Sequence, residues 1–155
     1  MNAVGSWQLV VGGKVSAAFA FLLFTFCLSF AACSIPNLEP QSCIDSRTTI
    51  REFYSYHFGN DMHFTPENLR VRERFLTKGF AARTSVETEG IDPFTTGNDD
   101  FPRAFRVGKC TEVASDKVEY QVLLFWRDDN RTEQREIRVD LAKQNERWLV
   151  DNVTK

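Results

Sequence analysis

The sequence predicts an α+β domain, with N-terminal helices packed on one face of a four-stranded antiparallel sheet, carried behind an apolar leader. Three observations predict it. Apolar residues recur with the helical period between Ile50 and Phe58, the period changes to two after Phe105, and the alternating segments are joined by short turns that favour a meander. At 155 residues the chain has room for one domain and a short appendage. Its 43% hydrophobic and 26% charged content is ordinary for a globular chain, so disorder is not expected. No repeat or low-complexity tract occurs.

The leader comes first. Val15 to Ala32 is an uncharged apolar run, preceded by Lys14 and the α-amino group and followed by Cys33. Positive start, apolar middle and small residues (Ala31, Ala32) at the end are the order of a signal peptide. The run Ser29-Phe30-Ala31-Ala32-Cys33 resembles a bacterial lipobox, whose cysteine becomes acylated, although Phe30 stands where an aliphatic residue is usual. The resemblance implies Cys33 as a lipidation site, with acyl chains holding the protein at a membrane. Two alternatives stay open: cleavage without a lipid, and an uncleaved anchor, for which this run is marginally long against the ~20 apolar residues of a spanning helix. In each case Lys14 keeps the N-terminal side cytoplasmic and the domain emerges outside, at the cell envelope on the periplasmic or extracellular side. The expected organisation is a signal peptide over 1–32, the lipidated cysteine and a Pro-containing tether over 33–42, and the domain over 43–155.

The domain opens on a helix. Ser42 with Asp45, and Thr49 with Glu52, are capping-box-like starts. Ile50, Phe53, Tyr54, His57 and Phe58 then share one face until Gly59-Asn60-Asp61 stops the helix. Thr65-Pro66-Glu67 restarts it with a threonine cap, a proline at the first helical position and an acid in the first turn. Leu69, Val71, Phe75 and Leu76 are expected to supply its apolar side as far as Gly79, and Phe80 to Val86 to form a further short helix. Residues 89–102 are rich in turn formers and are expected to be irregular.

The strands follow. Phe105 to Val113 reads as the first, with Gly108 a bulge site. Val118, Tyr120, Val122, Leu124 and Trp126 alternate on one face of the second. Ile137, Val139 and Leu141 mark the third, and Trp148 and Val150 the fourth, with turns at 128–131 and 144–146. The two tryptophans lie at strand ends and are expected to pack into the core.

Beyond Cys27 and Cys33 in the leader region, only Cys43 and Cys110 remain. In an oxidising compartment the simplest reading of two such cysteines is a disulfide, worth about 4 kcal/mol at most through loop closure. Two cysteines without a CxxC pair offer too few ligands for a metal, and none is expected.

Helices first and a meander second resemble the cone-shaped, cystatin-like fold of the nuclear-transport-factor-two-like superfamily, in which N-terminal helices close over a strongly curved sheet. Closer still, the domain resembles the bacterial family called domain of unknown function 3828. The residues that carry this are Arg51-Glu52-Phe53-Tyr54, Phe75-Leu76, Asp92-Pro93-Phe94 with Asp99-Asp100, and the terminal run Glu146-Arg147-Trp148-Leu149-Val150-Asp151-Asn152-Val153. The resemblance spans roughly 45–154. It implies an exported, often lipid-anchored domain with a curved four-stranded sheet and no assigned chemistry, so it lends no catalytic residues.

Taken alone, the residues name a few candidates. Asp92, Asp99 and Asp100 are the best acidic cluster, but their spacing is not that of a calcium loop, and aspartates in loops mostly make turns. Tyr54, His57 and Tyr120 could line a pocket between helices and sheet, where catalysis would need an acid or base with a shifted pKa. No nucleophile triad, phosphate-cradling glycine loop or zinc motif occurs, so no catalytic residue and no cofactor is expected. Removing the first 33 residues takes away Lys14 as the one charged side chain and leaves 18 Lys+Arg against 21 Asp+Glu, a formal charge of −3 with no basic stripe, so no nucleic-acid partner is expected. The expected function is therefore an envelope lipoprotein. Its small domain would bind a ligand or a protein partner. A pocket enzyme and an accessory subunit of a membrane complex are the alternatives.

Overall fold

The structure is a computed structural model, and it describes residues 39–87, 91–97, 100–127, 129 and 131–155. The leader, Cys33, most of the tether, and Asp99 lie outside the described residues.

Alternation builds the sheet. Strand β2 (Lys117–Arg127) buries every second residue from Val118 to Trp126, and it lies between β1 (Ala104–Ala114) and β3 (Thr132–Gln144). Strand β4 (Arg147–Thr154) completes an antiparallel meander in the order β1-β2-β3-β4. The register sets Val118 opposite Leu141, Tyr120 opposite Val139 and Val122 opposite Ile137, so one face is a continuous apolar layer. Register shifts at Val107/Cys110 and Asp140/Leu141 bend the sheet. Gly108 sits in the first of them, where an added Cβ would come within 3.1 Å of the Gln121 carbonyl. The β3–β4 turn places Asn145 and Glu146 at φ 48° and 62°, the left-handed pair that a two-residue hairpin of this twist requires.

Three α-helices are seen among the described residues. Helix α1 (Gln41–Phe58) turns Cys43, Ser46, Ile50, Phe53, Tyr54 and His57 inward as one stripe. It begins earlier than the capping boxes imply. Its N-cap is Pro40, whose carbonyl accepts from the N–H groups of Cys43 and Ile44 at 2.9 and 3.1 Å. Ser42 lies inside the helix, buried, and its hydroxyl donates to the Glu112 carboxylate instead. Helix α2 (Pro66–Arg72) starts as expected, with the Thr65 hydroxyl accepting from the Asn68 N–H at 3.2 Å. It does not run on to Gly79. A 3₁₀ turn (Glu73–Phe75) ends it, and Leu76 becomes extended to bridge Val150, with the Thr77 N–H donating to the Val150 carbonyl at 2.9 Å. Pairing with the open edge of β4 wins over another turn of helix, and Val71, two residues after the buried Leu69, is 46% exposed. Helix α3 (Lys78–Glu87) follows, its Phe80 N–H capped by the Thr77 hydroxyl at 3.2 Å.

The core lies between α1 and the concave apolar layer. Phe53 is its hub, with edge-on contacts to Tyr54, Phe75 and Phe94 at ring separations of 5.0, 5.8 and 5.2 Å. Phe94 comes from the irregular segment 91–97, which the aromatic cluster thereby fixes. Trp126 and Trp148 are both buried, as core residues. Cys43 at the start of α1 is bonded to Cys110 on β1, with Cα atoms 5.9 Å apart.

Candidate functional site

The inward stripe of α1 ends on a histidine. His57 is 1% exposed, and its Nε2 lies 2.9 Å from Asp92 Oδ2 in the 91–97 segment. On its other side Arg72 Nε donates to His57 Nδ1 at 3.0 Å. A guanidinium has only donors, so Nδ1 is the accepting nitrogen and Nε2 carries the hydrogen that goes to Asp92. The imidazole links a buried cation to a buried anion. Each end is further satisfied. Asp92 accepts from the Thr95 hydroxyl at 2.6 Å and from the Phe94 N–H at 2.9 Å, an Asx turn. Arg72 donates to the backbone carbonyls of Asn68 and Asp61 at 2.8 and 2.7 Å.

The protonation states follow from these contacts. Burial pushes the Asp92 carboxyl up, but the hydrogen bond from His57 and its electrostatic attraction, with further hydrogen bonds from Thr95 and the Phe94 N–H, together hold it below the usual carboxylate range. Burial pulls the Arg72 guanidinium down against the opposing charge of Asp92. Burial first, and the Asp92 charge second, push the Tyr54 phenol well above its ordinary value. Tyr54 donates its hydroxyl to the Phe94 carbonyl at 2.9 Å.

Of the residues the sequence singles out, the fold brings Tyr54, His57 and Asp92 together and sets Asp100 apart. Asp100 is exposed and paired with Arg131, which also pairs with Glu133. The Arg131 and Arg135 guanidinium groups lie 5.4 and 5.0 Å over the Trp126 ring, and Trp126 Nε1 donates to the Asp100 carbonyl at 3.0 Å. Sequence reasoning misses Arg72 and Thr95. The signal for Arg72 is its place three residues after Leu69 on a seven-residue helix, which sets it on the buried side. His63 is exposed and pairs with the Asp61 carboxylate at the rim of this cluster, with no hydrogen bond to His57 or Asp92 among the described residues.

Around the cluster, His57, Met62, His63, Phe64, Arg72 and Asp92 leave no room for a water-sized molecule. The open clefts are on the outside. One of about 320 Å³ is lined by Asp45, Glu52, Phe75, Glu146 and Trp148 together with Arg74 and Arg147. A second, of about 440 Å³, lies on the other side of the same two arginines. The donor atoms of Glu39, Cys43 and Cys110 fall within 4.8 Å of one another, but both sulfurs are committed to the disulfide and cannot serve as thiolate ligands. Among the described residues no helix is long and apolar enough to cross a membrane.

No family model and no curated protein matches the chain. A solved structure described as an "Ntf2 like protein involved in plasmid conjugation" matches with a TM-score of 0.45 at 9% identity, over 75% of this chain and 40% of that one. The chain thus spans well under two thirds of that protein's length. A crystal structure of a protein of unknown function from Bacteroides thetaiotaomicron matches with a TM-score of 0.50 at 17% identity, over 85% of this chain and 99% of that one. This second likeness is one of fold, over almost the whole of the other chain.

Proposed function

We propose that the chain is an exported lipoprotein, anchored at the cell envelope through Cys33, whose nuclear-transport-factor-two-like domain binds a ligand or protein partner at its surface and performs no chemistry of its own. The observation that carries the binding role is the filled interior. Phe53, Tyr54, Tyr120 and Val122 are fully buried, and the titratable groups beside them spend their hydrogen bonds on one another and on backbone carbonyls. An enzyme of this size would place such groups around a cavity of ~300 Å³ or more. The buried Cys43–Cys110 disulfide supports a location outside the cytoplasm, where such bonds persist.

Two experiments test the reading. Membrane fractionation of the full chain should find it with the membranes, and Cys33→Ser should release it or leave its leader uncleaved. An unchanged mature mass and membrane attachment in Cys33→Ser would refute the lipid anchor. Chemical cross-linking in solubilised membranes, followed by mass spectrometry, should capture a partner or ligand on the domain surface. Turnover of a small molecule, abolished by His57→Ala in a folded variant, would instead establish the enzyme.

A further inference from the structure

We infer that the 440 Å³ cleft between the 3₁₀ turn, the start of α3 and the β3–β4 turn binds an amphipathic carboxylate, one anionic group carried on an apolar body. This rests on the binding role proposed above and gives it a site and a ligand class. Leu76, Ala81 and Leu149 supply the apolar lining, and Arg74, Lys78 and Arg147 supply three exposed cations. Among the described residues none of these three cations is in an ion pair.

The two arginines are brought together and one is held. Arg147 Nη2 approaches the Arg74 carbonyl at 3.5 Å, which sets both residues at one edge of the cleft. The Arg74 guanidinium lies 4.6 Å from the Tyr56 ring centroid and 4.7 Å from that of Phe75. Stacking fixes the plane of a guanidinium without consuming its in-plane N–H donors, and those donors match a carboxylate in paired fashion.

Charge decides which side of the arginines an anion takes. The 320 Å³ cleft shares Arg74 and Arg147 but adds Asp45, Glu52 and Glu146, which repel it. The larger cleft adds Lys78 and only one acid, Glu73. The apolar lining then selects an anion with a hydrocarbon or aromatic body over a bare ion. A bilayer surface fits less well, because an anionic membrane meets a domain of charge −3 beyond the leader and a flat face does not enter a concave site.

The test uses the full chain in nanodiscs of neutral phosphatidylcholine and a diazirine-bearing phenylbutyrate as photoprobe, with peptide mapping by mass spectrometry. Labelling should fall on peptides containing residues 76–81 and 147–149. Unlabelled phenylbutyrate should compete, while its neutral amide and acetate should not. Arg74→Gln/Arg147→Gln should weaken labelling by about tenfold or more, since charge-assisted hydrogen bonds are lost. Labelling elsewhere, labelling unchanged in the double variant, or equal competition by acetate or the amide would overturn the inference. Co-purification with the wild-type chain separates the two ideas. If partners are still captured while cleft labelling is absent in the wild type, the cleft falls and the binding role stands.

Discussion

Because a guanidinium has no lone pair to give, the contact from Arg72 to His57 fixes the imidazole tautomer, and the tautomer fixes what Asp92 receives. Removing the charge at one end leaves the other buried and uncompensated. Asp92→Asn is therefore expected to cost about 3 kcal/mol, read from urea unfolding at pH 7. The pH dependence has a definite sign. The folded chain holds Asp92 below the carboxylate range, so the unfolded chain takes up the proton first as pH falls. Stability from this group is fully present above the unfolded pKa of about 4 and is lost as pH drops through the folded value. The stability gap between wild type and Asp92→Asn should thus narrow below about pH 4. A gap that stays constant from pH 7 to pH 3 would contradict the account. At this scale the sequence was partly legible. His57 stands out as a histidine on an apolar helical face, and Asp92 as a turn former, which it also is. Arg72 hides because Val71 beside it looks like the buried residue of the pair. The place of Arg72, three residues after the buried Leu69, is what turns it inward.

The strands were the most legible elements, since a period of two survives any change in neighbours. In β2 the alternation from Val118 to Trp126 is also the burial pattern. Helix boundaries were less legible where tertiary pairing intervened. The halt of α2 depends on Val150, which is far away in sequence, and no local signal encodes it. The start of α1 misleads for a related reason, because the hydroxyl of Ser42 is taken by Glu112 on β1. Two element-scale changes are informative. Glu146 adopts a left-handed conformation that costs a residue with a Cβ roughly 1 kcal/mol, so Glu146→Gly is expected to stabilise the β3–β4 hairpin by up to about that amount in urea unfolding. Its pair with Lys143 is an exposed one and worth little. The disulfide joins α1 to β1 across 67 positions, and Cys43→Ala/Cys110→Ala should lower stability by about 3 kcal/mol, at most about 4. An unchanged urea midpoint would show that the unfolded chain gains no freedom from losing it.

Across the whole molecule, the leader, the disulfide and the closed interior bear on one proposal: a domain that matures outside the cytoplasm and acts through its surface. The leader carries the membrane part of this, and it lies outside the described residues, so its test is chemical. The most direct measurement is the mass and thiol state of the chain recovered from its native cells, alkylated before and after reduction. The proposal predicts a membrane-bound species that begins at an acylated Cys33, with Cys43 and Cys110 alkylated only after reduction. A soluble cytosolic chain that keeps its leader, with both of these thiols open to alkylation at once, would contradict it.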